Sequence, residues 1–73
     1  MKYEFIYFVR GLSDVWLCKN KRSNDILGSV DYYPAWRQFV FTPASGPVCF
    51  NNQCLRDIVH FLEKLNMEEI FPQ

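Results

Sequence analysis

The sequence predicts an α+β domain, a four-stranded antiparallel meander with one C-terminal helix packed on one face. Three observations carry this. Four apolar-rich runs of strand length are separated by short turns rich in polar residues, Gly or Pro. Leu55, Ile58, Val59, Leu62 and Leu65 then recur at helical spacing, with Cys54 and Phe61 widening the stripe. The chain has 73 residues, 49% of them hydrophobic and 18% aromatic, which supports one domain over 1–73 built on a few large rings.

Residues 2–10 alternate, with Tyr3, Phe5, Tyr7 and Val9 on one side and Glu4, Ile6, Phe8 and Arg10 on the other. This is the first strand. Gly11-Leu12-Ser13-Asp14 reads as a tight turn in which Gly11 is free to take positive φ. Residues 15–19 form the second strand, its hairpin partner, and the polar run 20–25 is the next turn. In the third strand, 26–32, Gly28 signals a bulge or a bulky neighbour lying across the backbone. Tyr33-Pro34-Ala35 connects to the fourth strand, 36–42, where Phe39 and Phe41 share one side and Trp36, Gln38 and Val40 the other.

The segment 43–47, Pro-Ala-Ser-Gly-Pro, is a loop. Asn51 or Asn52 then caps a helix over 52–66; with Asn51 as the cap, Phe50 and Leu55 stand at the positions of a hydrophobic staple. Arg56, Asp57, Glu63 and Lys64 fall mainly on the polar side. Residues 67–73 extend the helix by a turn or form a tail.

One helix covers one face of a sheet, yet the strands carry large apolar residues on both. The pattern therefore leaves an apolar face uncovered, with Trp16, Trp36 and half of the first strand's aromatics on it, and such a patch marks an interface. Trp16, Tyr32, Tyr33, Trp36 and Arg37 have the composition of an interaction surface. Trp36 has two readings, exposed at that surface or folded under the 43–47 loop. A protein partner is expected, beginning with a second copy of the chain.

The other functional classes are weaker. Eight basic and eight acidic residues cancel, and a dedicated nucleic-acid binder carries a basic excess. A single-stranded nucleic-acid binder is nonetheless the alternative. It would stack bases on Tyr3, Phe5 and Tyr7 and hold phosphates with a patch of Arg10, Lys19, Lys21 and Arg22, with Arg37 as a further contact. Cys49, Cys54 and His60 match no zinc spacing, and Cys54 and His60 point to different helix faces, so neither a metal nor a Cys/His nucleophile is expected. No phosphate loop or carboxylate pair suggests an enzyme, and no cofactor is expected. Three cysteines without paired spacing point to a reducing cytoplasm. No signal peptide or membrane-spanning run is apparent.

A resemblance adds to this. The runs Asn20-Lys21-Arg22-Ser23, Ile26-Leu27-Gly28 and Tyr33-Pro34-Ala35-Trp36-Arg37-Gln38-Phe39-Val40-Phe41 resemble a family of small uncharacterised proteins. Cys54-Leu55-Arg56-Asp57-Ile58 with Phe61-Leu62, and the aromatic Phe50 before the capping asparagine, match as well. Members are encoded in bacteria, frequently in phages or other mobile elements. The resemblance, over about residues 15–66, implies a bacterial cytoplasm and raises the expectation of an inhibitor of a host or defence protein. It implies no activity.

Overall fold

The computed structural model describes residues 3–70, with side chains through Met67. It shows the expected α+β architecture. The strands are β1 (Ile6–Arg10), β2 (Trp16–Asn20), β3 (Ile26–Tyr33) and β4 (Gln38–Pro43), followed by α1 (Asn52–Ile70). The sheet order is β1-β2-β3-β4, every pair antiparallel. Helix α1 runs through the first residues of the expected tail, and residues 71–73 lie outside the described part.

Register decides which residues meet the helix. Phe8 pairs with Cys18, Trp16 with Val30, Val30 with Phe41 and Tyr32 with Phe39, so these side chains share one face. From α1, Cys54, Ile58, Phe61 and Leu65 descend onto it at helical spacing. Ile6, Cys18 and Val30 are fully buried there. Phe61 is the hub of the layer. Its ring stacks on Phe8 with centroids 3.9 Å apart and meets Trp16 edge-on at 5.2 Å.

The covered face corrects two expectations. Trp16 belongs beneath the helix, because its pairing with Val30 puts it in phase with the core. Tyr3 is also buried, packing edge-on to Phe8 and hydrogen-bonded through its hydroxyl to His60 Nδ1 at 3.1 Å. Regular β1 begins only at Ile6, so alternation over 2–10 could not place Tyr3.

The turns differ in detail from the simple reading. Gly11 has φ −102°, and the positive φ values of the β1–β2 turn fall on Ser13 and Asp14. Gly11 contributes space instead, since a Cβ there would sit 3.1 Å from the Val15 carbonyl oxygen. At Gly28 both expected features occur. The register shifts between Cys18 and Lys19, leaving Leu27 unpaired, and Phe41 lies across the glycine. Trp36 falls in the β3–β4 turn rather than in β4, and Arg37 holds that turn with φ 55°.

Asn51 caps α1 as expected, accepting from the Cys54 amide at 2.7 Å through Oδ1. Phe50, however, turns its ring edge-on to Phe41, and Leu55 is half-exposed. The buried helix stripe is also rotated from the expected one. Leu55 and Val59 lie outside it, whereas Asp57 is 8% exposed and receives the Gln53 side-chain amide at 2.8 Å.

Burial has a chemical consequence at Cys18. Removal from water, reinforced by neighbouring Cys54, pushes its thiol up to about 12. Burial and the Asp57 charge likewise raise the Tyr3 hydroxyl. Both groups are neutral in the fold and ionise more readily when unfolded. Their contribution to stability is therefore complete below the ordinary thiol value of 9.0 and is lost as pH climbs toward about 12. Urea midpoints should hold level to the lower limit of that window and decline above it. At neutral pH, exposed Cys49 should react with iodoacetamide while Cys18 and Cys54 stay protected until unfolding.

Candidate interaction surfaces

The face opposite the helix is built by the other half of each strand. Tyr7 and Val9 come from β1, Leu17 and Lys19 from β2, Ser29, Asp31 and Tyr33 from β3, and Gln38, Val40 and Thr42 from β4. No second layer covers them among the described residues, and none of these ten is buried. One row across it runs from apolar to polar, Val9 beside Leu17 on β1 and β2 and Ser29 beside Thr42 on β3 and β4. Lys19 and Asp31 stand toward opposite ends, because antiparallel register carries one beyond Leu17 and the other beyond Ser29 in the reverse direction.

At the Asp31 end the surface continues into the β3–β4 turn. Tyr33 and Trp36 pack edge-on with centroids 5.1 Å apart, and the Trp36 amide donates to the Tyr33 carbonyl at 3.1 Å. Trp36 is 66% exposed, which excludes its burial under the 43–47 loop. A rigid aromatic pair at the rim offers large contact area with little entropy left to lose. Arg37 sits beside it in the same turn.

The five residues expected to form one interaction surface thus separate. Tyr33, Trp36 and Arg37 stay together. Tyr32 leans on Phe39 on the helix side, at the exposed end of the sheet. Trp16 is taken into the core layer, with the Arg10 guanidinium 5.5 Å from its ring centroid. Val9, Leu17 and Val40, which sequence reasoning passed over, are the aliphatic residues of the open face instead. Their signal was the alternation itself, once the helix-facing phase is known.

The proposed basic patch separates as well. Arg10 lies at the far end of β1 and pairs with Asp14. Lys19, Lys21 and Arg22 cluster at the other end, beside the exposed Phe5. Phe5, Lys21 and Arg22, with Glu4 and Asn20, line an open depression of about 530 Å³. The Lys21 ammonium is partly committed there, donating to the Tyr3 carbonyl.

A third surface lies between α1 and the outer edge of β4. It is a shallow groove of about 440 Å³ lined by Trp36, Phe41, Val59, Leu62, Glu63 and Asn66, among others.

No family model matches the chain, and neither the curated proteins nor the solved structures contain a match. Among the described residues no group of three or more His, Cys, Asp or Glu side chains could hold a metal ion, and no helix is long and apolar enough to cross a membrane.

Proposed function

We propose that this domain works without catalysis, as a protein-binding module that first pairs with itself through the open sheet face. The observation that carries this reading is that face: four strands wide, with Val9, Leu17 and Val40 spread across it and no covering layer among the described residues. Its charges suit a second copy. A two-fold axis lying across the strands at the Leu17–Ser29 level brings Lys19 of one copy toward Asp31 of the other, twice over. The zero net charge leaves little repulsion between copies.

A charge swap tests the arrangement. Lys19→Glu alone should shift the chain toward monomer, and Lys19→Glu with Asp31→Lys should restore the dimer. Failure of the double variant to recover would remove the two-fold pairing.

The Tyr33–Trp36 rim and Arg37 then remain for a further protein. The resemblance to mobile-element proteins supports a host or defence factor as that target. Capture from bacterial lysate should recover one specific protein with the natural chain and lose it with Trp36→Ala. Recovery unaffected by Trp36→Ala would contradict the assignment of the rim.

A second reading rests on a different corner. Phe5 and Tyr7 lie opposite Lys21 and Lys19 across the β1–β2 ladder, so rings and ammonium groups interleave. That pattern suits single-stranded nucleic acid. Anisotropy of a labelled oligonucleotide at low salt decides it: no change on adding protein would exclude this use of the corner.

A further inference from the structure

The outer edge of β4 is met at one point by a side chain of α1. The Phe39 amide donates to Asn66 Oδ1 at 2.6 Å, and Asn66 Nδ2 donates back to the Phe39 carbonyl at 3.4 Å. Phe39 therefore directs both its backbone groups away from β3. One side-chain amide meets them as the peptide group of a neighbouring strand would. The β3–β4 register is unbroken from Gly28 to Tyr33, so two residues along, Phe41 turns its N–H and C=O outward in the same way. No described group meets them. Pro43, two further, offers a carbonyl without a donor.

Beside this edge, α1 presents an apolar wall. Val59 is 51% exposed although it stands next to buried Ile58, and Leu62 follows it at helical spacing. Trp36 closes one end of the groove, and Glu63 is the charged residue among the described lining. Apolar walls beside an open strand edge fit an extended chain. Backbone pairing supplies affinity there, and alternate side chains enter the groove.

We propose that the β4–α1 groove binds an extended peptide segment of a partner protein by strand addition at Phe41, with the Asn66 amide marking the start of the added strand. The segment carries apolar side chains at alternate positions, set against Val59 and Leu62, and a Lys or Arg facing Glu63. The proposal rests on the protein-binding reading, and the groove shares Trp36, Gln38 and Val40 with the border of the open face, while Phe41, Val59 and Leu62 lie outside it. Leu17→Lys therefore removes the dimer without touching the groove, and Val59→Asp removes the groove without touching the dimer.

The experiment is selection of a random heptapeptide library against the full chain, with hits followed by amide NMR. Selected sequences should alternate apolar residues and include Lys or Arg. Each should shift the Phe41, Val59 and Leu62 resonances and leave Leu17 and Ser29 unmoved. N-methylation of one inward-facing peptide amide should weaken binding by about tenfold, the loss of a well-placed hydrogen bond. Glu63→Lys should invert the preference, selecting acidic peptides, which a purely structural role for Glu63 would not produce. Val59→Asp should abolish binding while leaving the dimer and the thermal transition unchanged. An empty selection, hits confined to the open face, or hits indifferent to N-methylation would each overturn the proposal.

Discussion

Replacing Gly28 with valine is expected to leave a chain with no cooperative unfolding transition. A Cβ at this position would lie 2.4 Å from Phe41 Cζ and 2.6 Å from the Thr42 carbonyl oxygen. The Phe41 ring can rotate away, but only by breaking its contact with Phe50. Thr42 oxygen is backbone, so relieving that clash means opening the β3–β4 ladder. Overpacking of this kind costs ~3 kcal/mol or more. A domain of this size has roughly 4–11 kcal/mol in total. Gly28→Ala should retain a transition, with a clearly lower midpoint. Circular dichroism on heating reads both variants, and a valine variant as stable as the natural chain would refute the close approach.

Phe61→Ala should produce the largest loss among the helix substitutions, about 3–5 kcal/mol. The ring is 9% exposed and bridges Phe8 and Trp16, so its removal strips contacts from β1 and β2 together. Val59→Ala, two residues away and half-exposed, should change stability by less than ~0.5 kcal/mol. Urea denaturation of the pair gives the contrast. Equal losses would mean that α1 is rotated about its axis, away from the placement of Phe61 between Phe8 and Trp16.

Both contrasts show what the sequence could and could not supply. The elements were legible because each obeys its own period and ends at chemistry that stops it: Asn51 at the helix start, the polar run 20–25, and the Pro34 connection, whose turn runs two residues further than expected, to Arg37. Gly28 was legible for the same reason, a strand interior being a poor place for glycine unless something lies across it. The phase of the sheet against the helix was not. Both sides of β1 and β4 are apolar, so alternation divides their residues into two sets without saying which set α1 covers. Trp16 went to the wrong side on that ambiguity.

The helix shows the same limit. The seven apolar side chains of the stripe spread over nearly half the circumference, and only contact with Ile6, Cys18 and Val30 selects Cys54, Ile58, Phe61 and Leu65 from among them. Asp57 is buried by that rotation, which no charge pattern announces. The Asn66 clamp on Phe39 was beyond reach for another reason. It joins residues 27 apart through one side-chain amide, and nothing in the periodicity of either segment marks it.

The candidate surfaces inherit these limits. Tyr33 and Trp36 were found because four residues of turn hold them together. The aliphatic residues of the open face, Val9, Leu17 and Val40, were missed because they are ordinary strand residues. They become a surface only when the opposite face is occupied.

The central claim, that this open face pairs with a second copy, is tested most directly by light scattering across a concentration range on the natural chain and on Leu17→Lys. The natural chain should show a mass near twice 8.7 kDa that falls on dilution. The variant should remain monomeric throughout, with its thermal transition preserved. A natural chain that stays monomeric at the highest concentration, or a Leu17→Lys variant that dimerises as well as the natural one, would contradict it.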